Sequence, residues 1–226
     1  MSQTSVELLV AVGSKLVRLP KRIAFVGGAT TGLLVTDPAS SAPRSTNDVD
    51  IILDVEHYTE YTQIIAPALR QLGAGERTEA GAPLCSWILN GVIVDVMPVD
   101  SRILGFTNRW YRHALAAAVT YDLPDGTAIY ILDAPHFLAT KIEAFQGRGE
   151  GDFFASKDME DILFLLDGRI ELVEEVKGSP TDIRGFIGDT FSTWSQNHDF
   201  RDAVLGFSQD REEVILDRVT QLCRGL

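Results

Sequence analysis

Two aspartates separated by one residue, Asp48 and Asp50, begin a stretch in which one side holds Asp48, Asp50 and Ile52 and the other holds the apolar residues Val49, Ile51, Leu53 and Val55. This period of two predicts a half-buried β-strand over residues 48–55. On such a strand both carboxylates project from one face, about 7 Å apart, while apolar residues fill the other face. Hydrophobic packing would not select this arrangement. Like charges that close are costly unless a cation, protons or water compensate them.

A third carboxylate, Asp95, lies in the otherwise apolar run 92–99. This run and residues 83–89 flank Asn90-Gly91, the dipeptide that most strongly indicates a two-residue hairpin turn, so they predict two antiparallel strands. An isolated carboxylate in an apolar strand needs a partner. If the Asp95 strand pairs beside the first acidic strand, the three carboxylates meet.

Three carboxylates together with substrate phosphates suit one or two Mg²⁺ or Mn²⁺ ions, which prefer oxygen ligands. Such ions can orient an attacking hydroxyl and stabilise the oxygens around a phosphorus atom. Each residue also has a plainer interpretation. Asp48 and Asp50 can mark a solvated strand edge, and an arginine or backbone amides can satisfy Asp95.

The chain before the acidic strand predicts a helix over residues 5–16, a short strand over 23–26, and a turn at Gly27 and Gly28. Backbone amides at such a turn can bind phosphates, because glycine permits close approach and a helix amino terminus attracts anions. Most glycine pairs after a strand are plain turns. The phosphate role therefore depends on the nearby aspartates.

The periodicity changes after residue 133, where the chain becomes almost entirely helical. We predict the α+β fold class, with a mixed sheet flanked by helices in residues 1–133 and a helical region, residues 134–226, packed on it. The other predicted elements are a helix over 57–72 bent at Pro67, a second hairpin over 118–132, and helices over 135–145, 156–166, 171–177, 180–194 and 212–222.

Acidic residues outnumber basic ones 32 to 20, which gives a net charge of −12. This charge repels a long nucleic-acid backbone and argues against a broad nucleic-acid surface, but not against a small basic groove. The two cysteines, Cys85 and Cys223, are too few for a disulfide framework or a zinc site. The first apolar run contains Glu7 and no basic leader, and no apolar stretch approaches about 20 residues. We therefore expect a cytoplasmic protein with no membrane partner.

The acidic positions resemble the nucleotidyltransferases of the DNA polymerase β-like superfamily. The pattern of that superfamily is Gly-Gly or Gly-Ser, a spacer, an Asp-x-Asp strand and a third acidic strand residue. The matching segments here are Val26-Gly27-Gly28, Asn47-Asp48-Val49-Asp50-Ile51-Ile52 and Val94-Asp95-Val96. Within the superfamily the chain is most similar to the AbiEii/AbiGii toxin-type group. The resemblance implies transfer of a nucleoside monophosphate from an NTP to a hydroxyl acceptor.

In that group a downstream helix contributes a lysine, and the matching residue here is Lys141. Lys141 lies four residues from both Phe137 and Phe145, on the stripe that should face inward. An inward lysine needs an anion, and the resemblance implies that this anion is the triphosphate. The alternative is a lysine that snorkels at the edge of the core.

A later helix of that group carries a Lys-Asp or Arg-Asp element, which here matches Lys157 and Asp158. We rank Asp158 above Asp161 because it shares a helix face with Ile162 and Leu165, although the helix dipole favours acids there anyway. The spacer, residues 29–47, is longer than is usual in the superfamily and is rich in Pro and Ser. If the excess is a surface insertion, its last residues reach back towards the phosphates, namely Arg44, Ser45 and Thr46.

The resemblance leaves the acceptor open between a tRNA end, a protein and a small molecule such as an aminoglycoside. A tRNA acceptor would suit a toxin of a toxin–antitoxin pair, with a cognate antitoxin as partner. Two hypotheses from other classes are a nucleotide-binding module without turnover, regulated by a partner, and a purely structural domain.

Overall fold

A computed structural model describes residues 4–105, 107–149, 151–207 and 210–224. Their packing divides the chain into two compact units, one formed by residues 1–30 and 45–133, the other by residues 31–44 and 134–226. The periodicity led us to expect one boundary after residue 133. The segment 31–44 additionally leaves the first unit and joins the second. That the helical region packs on the first one stays a prediction.

The first unit contains the sheet, with short helices between its strands. The elements up to residue 133 are α1 (Ser5–Leu16), β1 (Ile23–Val26), α2 (Gly28–Thr31), β2 (Asp48–Leu53), α3 (Tyr58–Glu60), α4 (Ala66–Gln71), β3 (Gly75–Glu76), β4 (Ser86–Leu89), β5 (Val92–Pro98), α5 (Ser101–Leu104), α6 (Tyr111–Ala117), β6 (Val119–Asp122) and β7 (Ala128–Ile131).

Across the described residues, seven strands form one mixed sheet in the order β3-β4-β5-β2-β1-β7-β6. Strand β2 runs parallel to β5 and antiparallel to β1, and β1 in turn runs parallel to β7. The predicted α+β class, with a mixed sheet flanked by helices and a helical carboxyl-terminal region, is confirmed.

The predicted hairpin at Asn90-Gly91 is also confirmed, since it joins the antiparallel strands β4 and β5. Asn90 has a φ of 52° and Gly91 a φ of 79°. Positive φ at both central residues defines the type I′ turn, whose twist matches that of the flanking strands.

The predicted helix over 57–72 is interrupted. Between α3 and α4 lies a π-helical turn, Tyr61–Ile65, in which the Ala66 N–H donates to the Tyr61 carbonyl. Proline has no N–H, and its ring clashes with the carbonyl four residues earlier in a regular helix. Pro67 would clash in this way with the carbonyl of Gln63, and the wider turn avoids that contact.

The second unit is helical apart from the loop segment 31–44, which includes a 3₁₀ turn at Gly32–Leu34. Its helices are α7 (Ala134–Arg148), α8 (Lys157–Gly168), α9 (Leu172–Gly178), α10 (Thr181–Trp194), α11 (His198–Phe207) and α12 (Glu212–Arg224). Helix α11 is absent from the expected set, although its buried residues Phe200, Ala203 and Val204 have helical spacing.

Aromatic side chains form the core of this unit. Phe145 lies 5.0 Å from Phe153 and 5.2 Å from Trp194 between ring centroids, and Phe200 lies 5.7 Å from both Phe153 and Trp194. Tilted and edge-to-face pairs at these distances add to the stability gained by burial. No helix in the described part of the chain is long and apolar enough to cross a membrane.

Candidate active site

The three aspartates predicted to form a site in the first unit lie on neighbouring parallel strands. In the register of β2 and β5, Asp50 is directly opposite Asp95, and Asp48 lies two residues before Asp50. Neighbouring strands are about 4.8 Å apart, and residues paired in register project from the same face of the sheet. The pairing expected to bring these carboxylates together is therefore present. We call Asp48, Asp50 and Asp95 the acidic face.

Gly27 lies against this face. Its φ is +72°, and a Cβ atom there would lie 1.9 Å from Oδ2 of Asp50. Only glycine fits, because the backbone is left-handed and the space that a side chain would need is filled by the carboxylate. The helix that follows, α2, is four residues long. A phosphate role for Gly27 and Gly28 would thus depend on their backbone amides rather than on a helix dipole.

Gly27→Ala is expected to displace Asp50 and to lower by about a hundredfold any catalytic rate that depends on the position of this carboxylate, since a shift of about 1 Å can have that effect. It should also destabilise the fold by more than the about 1–2 kcal/mol of a left-handed alanine. Gly126→Ala is the matched control, because Gly126 has a φ of +82° and a Cβ atom added there would meet nothing within 4 Å. Thermal unfolding and initial rates for both variants test the prediction, which fails if they behave alike.

Two further side chains border the acidic face. The hydroxyl of Thr46, which is buried, donates a hydrogen bond to Oδ1 of Asp48 and so fixes that carboxylate. Burial, together with the nearby charges of Asp95 and Asp50, raises the pKa of the Cys85 thiol to about 12. Cys85 is therefore a neutral thiol at physiological pH. Both cysteines of the chain are free.

The donor chemistry of the acidic face fits Mg²⁺, which prefers carboxylate oxygens. Throughout the described ranges, however, no group of three or more His, Cys, Asp or Glu side chains is placed to hold a metal ion by itself. Mg²⁺ usually binds through one or two protein carboxylates completed by water and substrate phosphates, so it does not require such a group. The metal role of Asp48, Asp50 and Asp95 stays a prediction.

The predicted basic residues of the second unit form a buried ion-pair cluster. Nζ of Lys141 lies 2.6 Å from Oδ2 of Asp161 and 3.2 Å from Oδ1 of Asp158. Arg44 binds Asp161 through two hydrogen bonds of 2.9 Å, and Arg148 binds Asp158 through bonds of 2.9 and 3.1 Å. The inward lysine thus has protein carboxylates as its anions, and Arg44 also pairs with a carboxylate.

The side chains of the cluster differ widely in how much of their surface is exposed to solvent. The side chains of Lys141 and Asp161 are 8% and 1% exposed, whereas that of Arg148 is 75% exposed. Burial alone would raise the pKa of Asp158, but the hydrogen bonds from Arg148 and the charge of Lys141 lower it below its usual 3.8. Lys157, at the first position of α8, is exposed.

From the sequence we ranked Asp161 below Asp158 as a candidate site residue. In the structure Asp161 is a central member of the cluster, because it contacts both Lys141 and Arg44. Its spacing supplied the signal: residues three apart on a helix lie on the same face, so a lysine that reaches one reaches the other. By contrast, nothing in the sequence marks Ser86, whose register partner is Asp95.

No protein-family model matches the chain, and no curated protein matches its sequence. Among solved structures, the chain is similar to the solution structure of the antibiotic-resistance factor ANT(2'')-Ia, with a TM-score of 0.46 and 10% sequence identity. The similarity covers 86% of this chain and 95% of that one. Likeness at this level assigns neither a family nor an activity.

Proposed function

We propose that this protein is a metal-dependent nucleotidyltransferase, which transfers a nucleoside monophosphate from an NTP to a hydroxyl acceptor. The observation that carries the proposal is the parallel register that sets Asp50 opposite Asp95, with Asp48 on the same strand as Asp50. Like charges directly opposite each other destabilise a sheet. A row of carboxylates is best accounted for by a cation that is bound during function.

Asp48 and Asp50 are the residues that would hold Mg²⁺ or Mn²⁺, and Thr46 fixes Asp48 for this purpose. When bound, the metal would supply charge stabilisation for the oxygens around the α-phosphorus. Gly27 leaves room for the Asp50 carboxylate, and the amides of Gly27 and Gly28 would bind phosphate oxygens.

Asp95 would accept the proton of the acceptor hydroxyl. The acceptor oxygen forms a bond to the α-phosphorus while the bond between that phosphorus and the bridging oxygen to the β-phosphate breaks, and pyrophosphate leaves. The proton passes to the Asp95 carboxylate, so that charge and atoms balance. This role requires the acceptor to approach from the β5 side of the acidic face.

The ion-pair cluster gathers three cationic side chains, Arg44, Lys141 and Arg148, around the carboxylates Asp158 and Asp161. Lysine and arginine are the side chains that bind phosphates. We therefore keep Lys141, Arg44, Lys157 and Asp158 as candidate nucleotide-binding residues, with Asp158 and Asp161 acting by positioning the cations.

The choice of acceptor belongs to the proposal as well. A tRNA end, with a toxin role and an antitoxin partner, depends on the sequence resemblance alone, as does a protein acceptor. The net charge of −12 favours an acceptor with a small footprint. The rival class is a binding module that holds nucleotide without turnover.

Removal of divalent metal is expected to abolish transfer. With Mg²⁺, cell lysate and an NTP labelled at the α-phosphate, label should enter an acceptor, whereas a γ-phosphate label should appear only in pyrophosphate. Excess EDTA should reduce incorporation to background, because the acidic face then has no cation to stabilise the transition state.

The assay is repeated with each of the four labelled NTPs. If the protein binds nucleotide but no label enters RNA, protein or small molecules, the result supports the binding module instead. Incorporation that survives EDTA would contradict metal dependence. Restoring Mg²⁺ after chelation is the control, since it should recover the lost rate if the protein has stayed folded.

A further inference from the structure

A cavity of about 490 Å³ opens in the first unit, between β4 and the helical stretch that runs from α3 to α4. Its β4 wall includes Trp87, which pairs in register with Val94, the residue before Asp95 on β5. Successive side chains of a strand point to opposite faces, so Trp87 and Asp95 project from opposite sides of the sheet. A ligand against Trp87 would therefore be separated from the acidic face by the sheet. A volume of this size suits a small molecule.

Aromatic and aliphatic side chains form much of the cavity wall. Trp87 and Tyr61 are buried, whereas Tyr58 and Leu84 are 62% and 79% exposed. Large apolar groups exposed around a cavity mark a surface that a ligand can cover. Aromatic rings pair favourably with other flat rings, in stacked or edge-to-face arrangements. The wall therefore favours a ligand that carries a ring.

The charged side chains that line the cavity form two ion pairs. Arg70 pairs with Glu76. Nε of Arg77 lies 3.3 Å from Oε2 of Glu79. No other Asp, Glu, Lys or Arg is among the described residues that line the cavity, so its charges balance. A charged ligand would lose its water there without meeting an unpaired charge of opposite sign, which is costly, and the cavity therefore favours an uncharged one.

The buried hydroxyl of Tyr61 has a proton to donate. It accepts a hydrogen bond of 3.3 Å from Nε1 of Trp87. Burial raises the pKa of Tyr61 to about 12, so the hydroxyl keeps its proton at physiological pH. A phenol hydroxyl donates as well as accepts, yet within the described ranges this one has no acceptor for its proton. An unsatisfied buried donor costs free energy, which an acceptor inside the cavity would offset.

We infer that this cavity binds an uncharged small molecule with a flat apolar ring and a hydrogen-bond acceptor such as a carbonyl oxygen. The ring would contact Tyr58 and Leu84, and the acceptor would receive the proton of the Tyr61 hydroxyl. The inference goes beyond the proposed nucleotide transfer and does not depend on it. Because the Trp87 wall faces away from the acidic face, the ligand would bind whether or not that face is occupied.

Three probes of similar shape and different charge test the inference. At neutral pH benzamide is uncharged, benzoate is an anion and benzamidine is a cation. Titration followed by ligand-observed NMR should give a millimolar Kd for benzamide. Both ions should bind at least about tenfold more weakly, because neither meets an unpaired charge in the lining.

Tyr61→Phe removes the proposed donor and keeps the ring. It should weaken benzamide binding about threefold to tenfold, the usual contribution of a neutral hydrogen bond. Toluene, which has no acceptor, should bind this variant at least as tightly as it binds the wild type. Tyr130→Phe is the matched control, because Tyr130 is partly exposed in the same unit and does not line the cavity. Leu84→Ser changes an exposed position of the wall and should weaken binding of benzamide and toluene alike.

The inference is overturned if benzamide does not bind, if either ion binds as tightly as benzamide, or if Tyr61→Phe leaves the Kd of benzamide unchanged. Equal weakening of benzamide and toluene by Tyr61→Phe would also overturn it, because Tyr61 would then shape the cavity without donating to the ligand. Benzamide binding should persist in Asp50→Asn and at saturating Mg²⁺ with a non-hydrolysable NTP. Displacement of benzamide by the nucleotide would contradict a separate site. Since the assay measures binding alone, its outcome does not depend on whether the protein transfers nucleotides.

Discussion

Asp50→Asn is expected to reduce the kcat of nucleotide transfer by about a hundredfold to a thousandfold, while the protein stays folded. Asp50 is the centre of the acidic face: it lies opposite Asp95 in register, and its carboxylate fills the space beside Gly27. Asparagine keeps the shape but removes the charge that would hold a cation, and loss of one such electrostatic interaction typically costs about 10²–10³ in rate. The measurement is the initial rate of incorporation of label from an NTP.

The melting temperature separates this catalytic role from a structural one. Removal of one of two like charges that face each other should not lower the melting temperature and can raise stability by up to about 1 kcal/mol. Mg²⁺ with a non-hydrolysable NTP should stabilise the wild-type protein but not the variant, because only bound ligand shifts unfolding.

Asp54→Asn is the matched control for Asp50→Asn. Asp54 follows the same strand, but its side chain is 55% exposed and lies 4.0 Å from Arg112. This variant should keep the wild-type rate and the stabilisation by Mg²⁺ and nucleotide. Full activity of Asp50→Asn, or equal losses in both variants, would remove the acidic face from the reaction.

The sequence predicted which residues share a face but not which strands are neighbours. Alternation fixes the face of Asp48 and Asp50, because successive side chains of a strand point to opposite sides. That Asp95 lies opposite Asp50 follows from the parallel pairing of β2 with β5, which joins residues 45 positions apart in the chain (95 − 50). The periodicity of a strand carries no information about which other strand pairs with it. The sequence therefore predicted that the three carboxylates meet only on the condition that these two strands are neighbours.

The segment 31–44 likewise makes contacts with distant parts of the chain that its sequence does not predict. The composition of residues 36–46, rich in Pro and Ser, predicted a loop. The N–H groups of Thr36 and Asp37 nevertheless both donate to the Gly168 carbonyl, and Asp37 pairs with Arg211. These partners lie far along the chain and include a backbone carbonyl, which has no sequence signature. The local turn at Asn90-Gly91, in contrast, was predictable because both residues of the signal are adjacent.

Lys141→Met is expected to destabilise the second unit by about 3 kcal/mol, the lower end of the cost of breaking a buried ion pair. Its ammonium lies between Asp158 and Asp161, both nearly inaccessible to solvent. Methionine preserves the volume but leaves two buried carboxylates with one arginine each. For a chain of this length the change corresponds to about 6–12 °C in melting temperature, which calorimetry or denaturant titration would detect.

Arg148→Gln is the control for Lys141→Met, because Arg148 binds the same Asp158 from a position that is 75% exposed. An exposed ion pair contributes about 1 kcal/mol or less, so this variant should remain close to wild type. If the two variants lose equal stability, the burial of an ion pair does not determine how much that pair contributes to the free energy of unfolding. If Lys141→Met loses almost nothing, the lysine snorkels at the edge of the core and its carboxylates are satisfied without it.

The pH dependence should follow from the lowered pKa of Asp158. A carboxylate with a lowered pKa in the folded state contributes stability that is fully present above its unfolded pKa, about 3.8, and is lost as pH falls through the folded value. The gap between wild type and Lys141→Met should therefore be largest near neutral pH and shrink below about pH 4, where a protonated Asp158 no longer needs the cation. A gap that stays constant down to pH 2 would mean that Lys141 stabilises the unit through packing of its stem rather than through its charge.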